Sequence, residues 1–216
     1  MYAAWGAVGL LDQDLRNTLA TVGADRLQVN VDDEPVHAAQ LRLSTYDEPV
    51  GAVVSVWTRR QPAAVTAVLQ DRTKKLAGWV VETREPLPPP PSPDGRRAFA
   101  LSNVALLRIP DGLPRETWLE EWQGRHTQVA IDTQATFGYV QNLVVNTLTP
   151  DEPRVDALVE ELFPMAAVTD LHAFYGSGGD DAELSRRMTM MLESVSRFGA
   201  DRDIDVVPTS RYLFHL

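Results

Sequence analysis

The chain has 216 residues, enough for one large domain or two of about 100 residues, and either can bury a core. Its 44% apolar and 23% charged content is ordinary for a globular protein, and the absence of cysteine excludes disulfides and thiolate metal sites. The net charge of −10 arises entirely beyond residue 110, and a surface of that sign repels phosphate backbones and anionic lipid, so neither nucleic acid nor membrane is an expected partner.

The chain opens on Met1-Tyr-Ala-Ala-Trp5, without the basic flank and long apolar core of a secretory signal. No apolar run reaches the roughly 20 residues of a bilayer span, so the expected location is cytoplasmic. Trp5 to Leu10 reads as a strand and Leu11 to Val22 as a helix ended by Gly23. Leu27, Val29 and Val31 alternate with polar residues, as in a half-buried strand. Gly51 to Thr58 predicts a third strand. Pro62 opens a helix running to about Ala77, with Gly78 at its end, and Trp79 to Glu85 closes the half as a strand.

The proline run Pro86-Leu-Pro88-Pro-Pro-Pro91-Ser-Pro93 can continue neither a helix nor a central strand, and it reads as a linker. It divides the chain into residues 1–87, a linker at 88–97, and residues 98–216. In the second part, 99–109 predicts a strand, and a helix begins at Pro114 with its apolar face running from Trp118 to about Ile131. Phe137 to Thr147 and Asp156 to Phe163 are strands. Asp180 caps a helix reaching Phe198, and Ile204 to Phe214 is the last strand.

Each half thus reads β-α-β-β-α-β. The expected fold class is α+β: two tandem ferredoxin-like βαββαβ units. Helices cover one face of each antiparallel sheet, so the other faces can pair with each other and enclose an intramolecular, pseudo-dimeric barrel. The expected assembly is a monomer or a homodimer of such pseudo-dimers through an exposed sheet edge.

Trp118, Trp122 and His126 fall four apart and share a helix face. Imidazole exchanges a proton near neutrality, and an apolar pocket favours its neutral form, which suits a general base. His126 is therefore the candidate catalytic residue, looking into the chamber, with a packed core histidine as the competing reading. Tyr139 and Asn142 lie three apart on one strand and so point to opposite faces; an amide at Asn142 could bind a carbonyl or a phenol. Glu160 shares a strand face with Leu158 and Leu162 and is a second acid–base candidate if that face is the cavity. No HxH, HxxxH or HExxH spacing occurs, so no metal site is expected, and a haem ligand would have to be His126 or His172.

Ala105-Leu-Leu-Arg108, the helix with Trp122 four residues before His126, and Tyr139-Val-Gln-Asn142 together resemble the EthD family of dimeric α/β-barrel proteins. The resemblance covers roughly residues 98–216. Members often carry an Asp shortly before the aromatic matching Phe198, where this chain has Ser194, and a proline soon after the helix histidine, where it has Thr127-Gln-Val. The resemblance implies an apolar cavity between sheet and helices, with chemistry of the dehydratase, cyclase or monooxygenase type. The expected ligand is a small hydrophobic or aromatic molecule bound by Trp118, Trp122, Tyr139, Asn142 and Glu160, with no dissociable organic cofactor. The alternative is a non-catalytic carrier or assembly module with a packed barrel.

Overall fold

The computed structural model describes residues 1–149 and 154–216. Eight strands carry the architecture: β1 (Tyr2–Trp5), β2 (Ala24–Val31), β3 (Ala52–Thr58), β4 (Lys75–Leu87), β5 (Leu101–Leu107), β6 (Gly138–Thr147), β7 (Ala157–Phe163) and β8 (Asp205–His215). They close into a barrel in the order β1-β3-β2-β8-β5-β7-β6-β4, every neighbour antiparallel. The first four strands run β4-β1-β3-β2 and the last four β8-β5-β7-β6, so both halves have one strand order. Pairings β2–β8 and β4–β6 join them. The fold is mixed α+β, and closure leaves no free strand edge, so the edge-mediated dimer expected from the sequence has no edge to use.

Helices lie outside the barrel. The first half has α1 (Gln13–Thr21) and α2 (Ala63–Gln70). The second has α3 (Arg115–Leu119), a π-helical segment (Glu120–His126) and α4 (Thr127–Thr133) in succession, then α5 (Leu171–Tyr175) and α6 (Asp181–Ser196). Asp180 caps α6 through the amides of Ala182 and Glu183. Among the described residues no helix is long and apolar enough to cross a membrane.

Two boundaries differ from the sequence expectation. The first strand is Tyr2–Trp5 and not Trp5–Leu10, because the chain turns at Gly6, whose φ is 56°. The helix expected to reach Ala77 stops at Gln70, and β4 begins at Lys75. Residues 75–78 are drawn into the sheet as partners of β1, with Ala3 opposite Ala77 and Tyr2 opposite Gly78. A Cβ on Gly78 would stand 2.7 Å from the Tyr2 ring, so that glycine serves a close strand approach and not a helix end.

The barrel interior is packed at its middle and keeps a cavity of about 200 Å³ beside Gln28, Asn142, Glu160 and Arg211. Trp5, Val53, Trp79, Val104, Leu158 and Val207 form one apolar layer across both halves. Beside it lies a polar stitch around Glu160, which accepts from Gln28 Nε2 (2.9 Å), Asn30 Nδ2 (2.8 Å) and Ser102 Oγ (2.9 Å) and faces Arg211 Nε at 3.1 Å. Those partners come from β2, β5 and β8, so one carboxylate ties the two halves together. The expectation of one chamber enclosed by the two sheets with His126 looking into it is therefore corrected: the space between the sheets is mostly packed, and His126 lies on the helix side of the second sheet.

Candidate functional site

The open space lies on the other face of the second sheet. There the helical layer stands off from β5, β6 and β7 and leaves a cavity of about 640 Å³. Strand alternation decides what reaches it: Asn103 and Ala105 of β5, Val159 and Glu161 of β7, and Tyr139 of β6 point toward the helices. Asn103 pairs across the sheet with Glu161, and Glu161 pairs with Tyr139, so three polar side chains form one row on the cavity floor. Met188, Met191 and Leu192 of α6 form the apolar opposite wall. Part of the rim belongs to the first half: Leu41 and Leu43 reach over from the β2–β3 connection. Leu43 exchanges both backbone hydrogen bonds with Val206, and the Thr45 amide donates to Asp205 Oδ1 at 2.6 Å. Arg108 holds that carboxylate from the other side, donating to Asp205 Oδ2 at 2.7 Å and to the Tyr46 hydroxyl at 2.8 Å.

His126 reaches the cavity from the end of the π-helical segment, where the Thr127 amide bonds to the Trp122 carbonyl five residues back. Such wider turns keep residues four or five apart on one side, and they occur often at functional sites. Trp118 and Trp122 rings lie 4.7 Å apart; Trp122 lines the cavity, while Trp118 packs behind it against Phe198. The His126 ring sits against Phe198 at 4.8 Å and is only 7% exposed. Its Nδ1 lies 3.0 Å from Ser194 Oγ, the residue standing where the resemblance leads one to expect Asp. Either tautomer leaves Nε2 as the ring nitrogen for a ligand, since no second hydrogen bond to the ring occurs among the described residues. Burial pushes the imidazole down to about 4, so the ring is neutral at physiological pH. The turn after α6 fixes Phe198: Gly199 takes φ 81°, and a Cβ there would meet Pro110 Cγ at 2.1 Å.

Of the six residues singled out in the sequence, His126, Trp122 and Tyr139 line this cavity, and Trp118 backs it. Asn142 and Glu160 do not join them. Both point into the barrel, where Asn142 accepts from Thr83 Oγ1 at 2.8 Å and Glu160 forms the interior stitch. The cavity carboxylate is Glu161, one residue on, which sequence reasoning passed over. Burial pushes it up to about 8, and burial together with Glu161 raises Tyr139. The signal that could have found it is alternation on β7, but Leu158 and Leu162 on one face and Val159 and Phe163 on the other leave both equally apolar. Among the described residues no three His, Asp or Glu side chains converge on a metal site.

No protein-family model matches the chain, and no curated protein matches it by sequence. Two solved structures resemble it in fold. An anthrone oxidase-like protein superposes with a TM-score of 0.55 at 10% identity, covering 99% of this chain and 89% of the other. A candidate monooxygenase from Lactobacillus acidophilus NCFM superposes with a TM-score of 0.49 at 8% identity, covering 99% and 94%. At such identities the likeness is one of fold: a barrel of the dimeric α/β, ferredoxin-like kind.

Proposed function

We propose that this chain is an EthD-like protein that binds a small hydrophobic or aromatic molecule between the second sheet and its helices and moves a proton on it through His126 Nε2. The halves are read as tandem ferredoxin-like units, residues 1–87 and 98–216, joined by the proline-rich segment. One observation carries the reading: a neutral imidazole, anchored at Nδ1 by Ser194, borders a cavity of about 640 Å³ whose other walls are largely apolar. A neutral ring at pH 7 has the free lone pair or the N–H that proton transfer needs, and exclusion of water strengthens its hydrogen bond to a ligand. Trp122 supplies a flat apolar wall beside it, and Trp118 and Phe198 fix the ring from behind. The resemblance in fold to an anthrone oxidase-like protein supports an aromatic occupant of the same size class.

The test begins with mass spectrometry of small molecules that copurify with the native protein, which names the occupant. His126→Ala then leaves the fold and the bound mass in place and abolishes turnover of that molecule. Loss of stability in His126→Ala with unchanged handling of the molecule would instead make His126 a packing residue and the protein a carrier.

A further inference from the structure

The polar groups on the cavity wall have one electrical character. Among its lining residues, the charge-bearing side chains other than the neutral His126 are Glu161 and, on the exposed rim, Asp201; neither lysine nor arginine lines it. Three lining oxygens are buried without a hydrogen-bond partner: Asn103 Oδ1, Gln134 Oε1 and Glu161 Oε1. An unmade hydrogen bond at a buried acceptor is costly, and Asn103 and Glu161, cross-strand neighbours on the floor, leave two such acceptors side by side for a donor, with Gln134 after α4 on the same lining. The rings of Tyr139 and Tyr175 also line it, and aromatic rings attract cations through their π faces. Arg187 of α6 bonds the Tyr175 carbonyl but is paired with Glu183 and does not line the cavity.

We propose that the occupant of this cavity is a lipophilic amine, its ammonium group seated on Glu161 with Asn103 and Gln134 accepting its remaining protons and its apolar body lying against α6. The proposal rests on the cavity's being the ligand site and adds the chemical class of the ligand. An ammonium supplies up to three donors from one atom, enough for the neighbouring Asn103 and Glu161 oxygens and a further acceptor on the lining, and its charge matches a carboxylate in a cavity that neither lysine nor arginine lines. In the empty cavity burial keeps Glu161 protonated up to about 8. The other titratable groups facing the cavity are Tyr139 from β6, Tyr175 from α5, His126 from the π-helical segment and Asp201 after α6. Of these, His126 is already neutral above about 4. The amine therefore binds with release of one proton from Glu161 at neutral pH.

The experiment is titration calorimetry of the full chain with naphthylmethylamine and naphthylmethanol, which share a ring and differ in the charged group. At pH 7.5 the amine is expected to bind at least tenfold more tightly than the alcohol. Its affinity should rise roughly eightfold between pH 6.5 and 7.5, following the ionised fraction of a group near 8, while the alcohol's stays flat. In Glu161→Gln the amine and alcohol should bind alike, with the alcohol's affinity unchanged from wild type; the same result in Asp201→Asn in place of Glu161→Gln would overturn the seat on the floor. Equal affinities for both probes in the wild type would overturn the amine and leave the cavity's role standing. Binding of neither probe up to its solubility limit would overturn both.

Discussion

The two halves share strand order and helix placement, yet the cavity of about 640 Å³ lies between sheet and helices of the second. In the first half that layer is mainly apolar: Leu15 and Leu19 of α1 and Leu69 of α2 meet Leu27, Val29 and Val54 of the sheet, with Tyr2 and Phe214 beside them. In the second half the corresponding sheet face carries Asn103, Glu161 and Tyr139 on the cavity, while Gln141 bonds Thr127 of α4 where the helical layer meets the sheet. The first helical element shows the same divergence, with nine residues in α1 against a continuous run from Arg115 to Thr133 with a π-helical middle. The layer of the first half is thus largely packed. The second half holds a polar floor that its own core does not satisfy, and the first lends Leu41 and Leu43 to its rim.

Adjacent carboxylates on β7 separate the two roles most strongly. Glu160→Ala strips the buried Arg211 of its carboxylate and takes one of the acceptors from Gln28 and Asn30, so it should cost about 3–5 kcal/mol in chemical denaturation. Leu19→Ala in the packed layer of the first half should cost about 2–5 kcal/mol, whereas Leu192→Ala, on the cavity wall and 61% exposed, should cost under about 1 kcal/mol. Equal losses at Leu19 and Leu192 would erase the distinction between a filled and a hollow layer.

A smaller effect follows from proton linkage. The folded Glu161 carboxyl titrates near 8 against an ordinary 4.5, so the folded chain holds more proton than the unfolded one between those values, and stability falls as pH rises through that window. His126 acts in the opposite sense between about 4 and 6.5, where the unfolded chain takes a proton that the buried ring refuses. From pH 6.5 to 8 the Glu161 contribution stands without opposition from His126, while the buried Met1 amino group, lowered from 8.0 to about 5, acts against it, so the Glu161 term is read as the difference between wild type and variant. Glu161→Gln should flatten the decline in that interval and gain about 2 kcal/mol at pH 8, read from denaturant midpoints at half-unit steps. An unchanged slope would place the raised carboxyl elsewhere.

Much of this order was legible in the sequence, because strands such as Leu27-Gln-Val-Asn-Val31 alternate cleanly and Asp180 announces the start of α6. The helix carrying Trp118, Trp122 and His126 was equally plain, whereas Ser194 was read only as a departure from the family's Asp, and its bond to the His126 ring was not foreseen. Three things were hidden for physical reasons. The boundary between α2 and β4 depends on β1 reaching across to residues 75–78, a long-range pairing that local propensity does not report. The choice between Glu160 and Glu161 depends on which face of β7 meets the helices, and both faces are apolar. The π-helical winding leaves the i, i+4 pattern intact, so periodicity reads it as ordinary helix.

The central claim is that the space between the second sheet and α6 is a ligand chamber. Its most direct test is binding of the fluorescent apolar probe N-phenylnaphthylamine to wild type and to Ala105→Phe, which fills the cavity floor between Asn103 and Leu107. The account predicts one equivalent bound to the wild type, and binding lost in Ala105→Phe with stability within about 1 kcal/mol, because the added ring enters existing space. Undiminished binding in the folded Ala105→Phe protein would contradict it.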